Sequence, residues 1–248
     1  MRIAILGSTG MLGSKVAKLL PDAICPKFDL SYPEEYPPLE ADVIINCAGI
    51  IPIKCKRDVD MILVNSIAPR CLARLYRFAH IVNVSTDCVF SGDKGNYSVL
   101  DNPDARDTYG RSKALGEYQA DNVTNVRTSF IGFKHGLIPF LLEHKGSGIQ
   151  GWSNALWNGS TVGAVAEAIV KIALGCPVGL IHLTCPTALS KFNLLCYLDY
   201  LFGLDVVISP VREPITNHIL MPTIPLPFIT TREQELLDDF HSYDLLQP

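Results

Sequence analysis

The 248-residue sequence lacks the patterns that mark several large classes of protein. No two of its eight cysteines form a CxxC pair, so the zinc and dithiol motifs built on that spacing are absent. Its six histidines are scattered and include no helical ligand pair, and we expect no metal site. No apolar run reaches the length of a membrane span, so we expect no membrane partner.

Charge is also sparse and balanced. Charged residues make up 19% of the chain, and the formal net charge is −4. Because no basic block is present, we expect no nucleic-acid partner. Met1 leads directly into a strand-like segment, without the charged region and apolar stretch of a signal peptide. Together with cysteines that lie in apolar runs, this predicts reduced thiols and a cytoplasmic protein.

Strand-like apolar runs alternate with helix-like stretches over the first two thirds of the chain. The predicted strands cover residues 2–6, 22–26, 42–47, 80–85 and 125–128. The predicted helices cover residues 11–20, 58–79 and 108–121. Near-continuous apolar strands are typical of a parallel sheet whose two faces are covered by helices. The pattern therefore predicts an α/β fold with a doubly wound, Rossmann-type parallel sheet.

The last third of the chain has a different pattern. It predicts helices at 162–175 and 190–202, a strand at 180–183, and a proline-rich looping segment at 209–228. Thr231 and Gln234 predict a capping box that opens a last helix at 231–240. We expect one domain over 1–248, in which residues 1–130 bind a cofactor and residues 131–248 form a small, mainly substrate-binding region.

A glycine-rich turn follows the first predicted strand. Its glycines have Gly-x-x-Gly-x-x-Gly spacing, which suits a sharp turn, close approach of a pyrophosphate and tight packing of the next helix. The N–H groups at the start of that helix then face phosphate oxygens. The candidate cofactor residues of this turn are Gly7, Thr9, Gly10, Met11, Leu12 and Gly13.

The choice between NADPH and NADH depends on the residues after the second predicted strand. A cation there favours a ribose 2′-phosphate, and Lys27 is the candidate. An acidic group favours a free 2′-hydroxyl, but we expect Asp29 and Leu30 to lie beside the adenine. We therefore expect NADPH, with NADH as the alternative.

A tyrosine and a lysine with catalytic spacing follow the fourth predicted strand. Tyr109 and Lys113 are four residues apart, which places them on one face of a helix. A nearby ammonium favours the phenolate, so the phenol becomes a better proton donor to a ketone that gains hydride. Lys113 would also bind the nicotinamide ribose. Thr86 lies at the carboxyl end of a strand, where its hydroxyl can stabilise a developing alkoxide.

Taken together, several segments resemble the extended short-chain dehydrogenases, and among them dTDP-4-dehydrorhamnose reductase and its sugar-nucleotide relatives. These segments are 42–49 (DVIINCAG), 64–69 (VNSIAP), 84–92 (VSTDCVFSG), 109–117 (YGRSKALGE), 126–129 (VRTS), 156–161 (LWNGST) and 179–183 (GLIHL). The resemblance implies transfer of a hydride from NAD(P)H to C4 of a nucleotide-linked 4-keto-6-deoxy sugar. Tyr109 would then donate the proton, Thr86 would polarise the ketone, and Lys113 would orient the ribose.

The resemblance extends both binding sites. Further cofactor residues would be Cys47, Ala48, Gly49, Asn65 and Ser85. The substrate residues would be Thr86, Asp87, Val89, Trp152 and Asn158, and Trp157 is a second aromatic side chain that could stack on a base or sugar. The expected partner is a nucleotide sugar, and a homodimer is left open.

Two other functions are compatible with this sequence. A sugar-nucleotide epimerase or dehydratase would keep NAD bound, but dehydratases typically need acidic partners beside the threonine, and Cys88 stands where Glu would be expected. A non-catalytic regulatory relative would keep only the fold. Intact Thr86, Tyr109 and Lys113 argue against that reading.

Overall fold

The computed structural model describes residues 1–244 and contains a six-stranded parallel sheet. Its strands lie in the order β1–β2–β3–β4–β9–β13. Their bounds are β1 Ile3–Leu6, β2 Val43–Asn46, β3 His80–Thr86, β4 Val123–Thr128, β9 Gly179–Thr184 and β13 Ile224–Pro225. Within the described residues, seven strands lie outside the main sheet: β5 Phe130–Ile131, β6 Gly148–Trp152, β7 Ala155–Trp157, β8 Ser160–Thr161, β10 Leu189–Ser190, β11 Val207–Val211 and β12 Thr216–Asn217.

Helices cover both faces of the main sheet. They are α1 Met11–Leu19, α2 Asp58–Ile62, α3 Ala68–Leu75, α4 Thr108–Leu115, α5 Leu137–Leu142, α6 Val162–Gly175, α7 Lys191–Phe202 and α8 Glu233–Asp244. One apolar core joins Val16 of α1 and Ile169 of α6 to the sheet, and another joins Leu72 of α3 to it. Burial of both faces explains the apolar strands, and the prediction of a doubly wound parallel sheet is confirmed.

The predicted strand at 22–26 is wrong in extent. Only Ile24 pairs with β1: its N–H donates to the Ile3 carbonyl, and its carbonyl accepts from Ile5, both at 2.8 Å. Pro26 follows two residues later and has no N–H to continue the ladder. The chain therefore leaves the sheet after a single bridge.

The predicted helix at 58–79 is interrupted at its centre. Helix α2 passes into a π-helical turn at Leu63–Ile67 before α3 begins. Pro69 has no N–H to donate to the Asn65 carbonyl four residues earlier, so the regular hydrogen-bond pattern cannot pass through this point. The freed carbonyl packs against Gly116, where any Cβ would clash with it. The helix predicted at 108–121 ends at Leu115, one residue before this glycine.

The last third of the chain contributes strands to the main sheet. Helix α6, strand β9 and helix α7 match the predicted segments closely, whereas 209–228 contains short strands within its looping path. Strand β13 pairs with β9 and forms an outer edge of the main sheet. Residues 1–130 and the last third therefore share one sheet.

The predicted capping box at Thr231 is wrong. The Thr231 hydroxyl donates to the Phe228 carbonyl at 2.7 Å, and a 3₁₀ turn at Ile229–Arg232 precedes α8. Helix α8 is anchored instead by side chains of other helices, including two bonds from Lys15 Nζ to Asp239 at 2.5 and 2.7 Å. Of the helices within residues 1–244, none combines the length and apolarity that a bilayer span requires.

Candidate active site

The glycine turn between β1 and α1 is built so tightly that side chains are excluded. Gly7 has a φ of +71°, and a Cβ there would lie 2.7 Å from the Ala48 nitrogen. A Cβ on Gly13 would lie 2.8 Å from the Gly7 carbonyl carbon. Because these positions carry no Cβ, the backbone at the start of α1 lies close to the ends of β1 and β2. This cradle fits the diphosphate of a dinucleotide, which needs close backbone approach and free N–H groups.

Two cavities adjoin at this turn. The smaller, of about 320 Å³, is lined by residues of the turn and of the segment after Ile24: Leu6, Gly7, Thr9, Gly10, Pro26, Phe28, Asp29, Leu30, Cys47, Ala48, Gly49 and Val64. The larger, of about 430 Å³, shares Gly10, Cys47, Ala48 and Gly49 with it. It extends along the carboxyl ends of β3 and β4, where open α/β sheets bind ligands.

The predicted catalytic side chains meet at the larger cavity. Tyr109 and Lys113 of α4 line it together with Thr86 at the end of β3. Asp107 caps α4 by accepting from the Gly110 N–H at 2.9 Å, which fixes where the helix begins. A Cβ on Gly110 would clash with the Cys88 carbonyl, so glycine allows α4 to approach the turn after β3.

Burial sets the protonation state of this cluster. It raises the pKa of the Tyr109 phenol well above its ordinary value, while the neighbouring Thr86 hydroxyl acts in the opposite direction. Burial lowers the pKa of Lys113 to about 8, against the raising effects of Glu117 and Cys47. Tyr109 is therefore protonated at neutral pH, as a proton donor must be, and Lys113 still carries most of its charge there.

A short network orders the end of β3. Thr86 Oγ1 donates to Asp87 Oδ1 at 3.1 Å and accepts from the Cys88 N–H at 3.2 Å. Lys113 Nζ donates to the Val84 carbonyl at 2.6 Å. The hydroxyl, the carboxylate and the amine are all buried, yet each residue lines the cavity.

Two residues predicted to touch substrate lie away from both cavities. Val89 is fully buried in a small core with Phe90 and Tyr97. Asn158 has both side-chain groups occupied: Nδ2 donates to the Cys185 and Leu220 carbonyls, and Oδ1 accepts from the Leu220 N–H. Both side chains are held in the interior, and the prediction that they contact substrate is corrected for both.

Of the two tryptophans that could stack on a base or sugar, the structure places only Trp157 at a cavity, and the prediction for Trp152 is corrected. Trp152 lines neither cavity, and its half-exposed ring lies under the Lys191 amine, 5.1 Å from the ring centroid. Trp157 lines the larger cavity, with its indole N–H donating to Ser129 Oγ at 2.8 Å. Successive side chains of a strand point to opposite faces of the sheet, and the sequence does not show which face of β7 points into the cavity.

Three predicted cofactor residues support the site or lie outside its lining. Asn65 bonds the Ile50 N–H and carbonyl, each at 2.9 Å, and so shapes the loop after β2. The Ser85 hydroxyl donates to Glu117 at 2.6 Å, although Ser85 also lines the larger cavity. Lys27 is exposed and lines neither cavity, whereas Asp29 and Leu30 line the smaller one.

The larger cavity also contains residues that the sequence did not indicate. Four of them carry positive or protonatable groups: Lys54, His135, Lys191 and His218. Each comes from a different segment, and none belongs to a motif. Only the fold brings them into one cavity with Asp87, the single carboxylate among its lining residues. The cavity is therefore suited to a ligand with negative charge.

Metal ligands are not grouped in this structure. Within residues 1–244, no cluster of three or more His, Cys, Asp or Glu side chains could hold a metal ion. All eight cysteines are free.

The parallel sheet, the glycine cradle and the Thr86–Tyr109–Lys113 cluster define an oxidoreductase of the short-chain dehydrogenase class. A family model described as the RmlD substrate binding domain matches residues 1–135, more than half of the chain. The chain therefore belongs to that family, and the resemblance seen in its sequence is confirmed.

Known proteins of similar sequence and structure agree with this assignment. A probable dTDP-4,6-dihydroxy-2-methyloxan-3-one 4-ketoreductase of Streptomyces antibioticus is 27% identical over 210 residues, which covers 74% of this chain and 71% of the relative. A dTDP-4-dehydrorhamnose reductase of Clostridium acetobutylicum has a TM-score of 0.82 at 21% identity, covering 97% of this chain and 100% of the other. A dTDP-4-dehydrorhamnose reductase of Bacillus anthracis, solved in complex with NADP, has a TM-score of 0.81 at 21% identity, covering 97% of this chain and 99% of the other. The two structural likenesses concern the fold.

Proposed function

We propose that this protein uses NADPH to reduce the 4-keto group of a nucleotide-linked 4-keto-6-deoxy sugar. The observation that carries the proposal is the convergence of Thr86, Tyr109 and Lys113 at one cavity that adjoins the glycine cradle. The curated relative, a probable 4-ketoreductase of a dTDP-linked compound, supports the same reaction class.

Each catalytic side chain has one role in the proposed reaction. A bound NADPH supplies the hydride that the carbonyl carbon receives. Tyr109 donates its phenolic proton to the carbonyl oxygen. Burial raises the pKa of the phenol, so this proton is present at neutral pH. The Thr86 hydroxyl gives up its bond to Asp87 Oδ1, donates to the same substrate oxygen and stabilises the developing negative charge there. Lys113 binds the ribose of the cofactor, and its ammonium stabilises the phenolate left after proton transfer.

The two cavities divide the binding task. In the proposal, the glycine cradle holds the cofactor diphosphate, and the smaller cavity holds the adenosine end beside Asp29 and Leu30. The larger cavity holds the nicotinamide and the sugar, with Asp87 and Trp157 among its substrate contacts. Residues 1–130 thus bind mainly the cofactor, and later segments mainly shape the substrate end. NADH remains the alternative cofactor, since Asp29 and not Lys27 lines the adenosine cavity.

The test follows NADPH and NADH absorbance with dTDP-, GDP- and UDP-linked 4-keto-6-deoxy sugars. Substrate-dependent oxidation of NADPH is the expected result and would also identify the nucleotide. A purified protein that retains tightly bound NAD and converts sugars without net oxidation would assign an epimerase or dehydratase instead. Cofactor binding without turnover of any of these sugars would contradict the proposed reaction.

A further inference from the structure

One ion pair of the protein is almost completely buried beneath the catalytic cluster. Arg127 of β4 and Glu117, just beyond α4, form a two-pronged bond: Nε donates to Oε1 at 2.8 Å and Nη2 to Oε2 at 2.7 Å. Their side chains are 2% and 8% exposed. Among the ion pairs of residues 1–244, no other has both side chains more than nine-tenths buried.

The pair joins the elements that carry the catalytic residues. Ser85, Arg127 and His182 lie side by side on β3, β4 and β9. Glu117 Oε1 accepts from the Ser85 hydroxyl at 2.6 Å, and Arg127 Nη1 lies 3.2 Å from His182 Nε2. Ser85 immediately precedes Thr86, and Glu117 follows Lys113 by four residues.

Stability alone does not account for an ion pair in this position. Removing two charges from water is costly, and well-packed apolar residues of similar volume are often equally stable or more so. The Arg127 guanidinium already stacks on the Phe90 ring, with 4.8 Å from its carbon to the ring centroid, so an unbranched apolar side chain would find a suitable surface there. What apolar residues could not supply is a directional link between α4 and the end of β3.

We propose that Glu117 and Arg127 are a positioning pair for the reaction, holding the helix that bears Tyr109 and Lys113 in register with the strand end that bears Thr86. The inference rests on the proposed function, because the register matters only if both hydroxyls must face one substrate oxygen. Neither member of the pair lines either of the two cavities described above, so we infer that the two residues act through others and do not touch the substrate.

The carboxylate has a second effect, on Lys113. The groups that face this amine are Glu117 beyond α4, the Cys47 thiol just after β2 and the Val84 carbonyl of β3. Burial lowers the pKa of Lys113, and Glu117 is the largest influence that raises it. Loss of the carboxylate therefore lowers this pKa further and leaves less ammonium at neutral pH.

The experiment compares the wild-type protein with a double variant, Glu117→Gln with Arg127→Met, that removes both charges and keeps the volumes. The matched control is Arg2→Met with Glu40→Gln, which removes an exposed ion pair. A third variant, Glu117→Asp, keeps the charge but shortens the side chain. Thermal unfolding, NADPH binding, and kcat and KM as functions of pH are measured for all four proteins.

We expect the double variant to be folded and to bind NADPH at low pH. Its kcat should be at least tenfold lower than that of the wild type, and its activity should be lost at a lower pH on the alkaline side of the profile. Glu117→Asp should lower kcat but keep the wild-type pH limb, and the control should match the wild type. A folded double variant with wild-type kcat and pH profile overturns the inference. A double variant that cannot fold would show that the pair serves stability, and this result overturns the inference as well. An inactive wild-type protein contradicts the proposed function instead, so the two failures are distinguishable.

Discussion

Gly13, on the first turn of α1, packs directly against the carbonyl group of Gly7, and a Cβ at Gly13 would lie 2.8 Å from the Gly7 carbonyl carbon. The turn and the helix can therefore be this close only while both residues are glycine. Because the contact is between two stretches of backbone, no side chain can move aside to relieve it.

Gly13→Ala is expected to weaken NADPH binding and to lower the free energy of unfolding by about 1–3 kcal/mol, as overpacking does. Fluorescence titration and urea unfolding measure the two effects. Gly175→Ala is the control, because the nearest atom to its added Cβ lies 3.9 Å away. Equal NADPH affinity in the wild type and Gly13→Ala would show that the cradle does not hold the cofactor.

Tyr109→Phe removes the proposed proton donor and leaves the ring in place. We expect kcat to fall by about 10²–10⁴-fold, the range for general acid catalysis, while the dissociation constant of NADPH changes little. Steady-state kinetics and cofactor titration separate the two. Tyr200→Phe, on an exposed face of α7, is the matched control. Turnover near the wild-type rate in Tyr109→Phe would refute the assigned role.

The pKa of Lys113 near 8 predicts a pH dependence of cofactor binding. The ammonium that we propose binds the ribose is present below this pKa and is lost as pH rises through it. The NADPH dissociation constant should therefore increase as pH rises from about 7 to about 9, and Lys113→Met should abolish that dependence. The exposed Lys171→Met variant should retain it. An affinity for NADPH that does not change across this range would contradict the role of Lys113.

Helix α8 is predicted to stabilise the fold through a carboxylate at the start of α6. Glu235 accepts from the Gly163 N–H at 2.9 Å and from the Thr161 hydroxyl at 2.8 Å. Glu235→Ala should lower the free energy of unfolding by about 1–3 kcal/mol, since charged hydrogen bonds are lost and their donors are left unpaired. Urea unfolding measures this. Gln234→Ala, exposed on the same helix, should cost less than about 0.5 kcal/mol, and equal losses in the two variants would exclude a specific role.

Local rules account for the parts of the fold that the sequence predicted well. Strands β1 and β2 are almost wholly apolar because both of their faces are covered, and α6 and α7 have clear bounds in the sequence. Where predictions failed, backbone chemistry was decisive. Pro26 stopped the second strand at a single bridge, and Pro69 broke the regular pattern of the helix that precedes it.

The candidate site divides in the same way. The glycine turn and the Tyr109–Lys113 spacing could be predicted because each is a local motif with a physical requirement of its own. The side chains that line the substrate end could not, since Trp157, Lys191 and His218 come from segments without a motif. Val89 and Asn158 belong to segments with a strong resemblance, yet their side chains turn into the core.

The sequence by itself predicted the class of fold, the glycine turn and the Tyr109–Lys113 spacing, because each of these depends on residues close together along the chain. Only the tertiary structure decided which tryptophan faces the cavity, which cations surround it, and that Glu117 and Arg127 meet beneath it. The physical reason is that helix and strand periodicity is a local property of the chain. The register between β3, β4 and α4 is set by packing across the whole sheet.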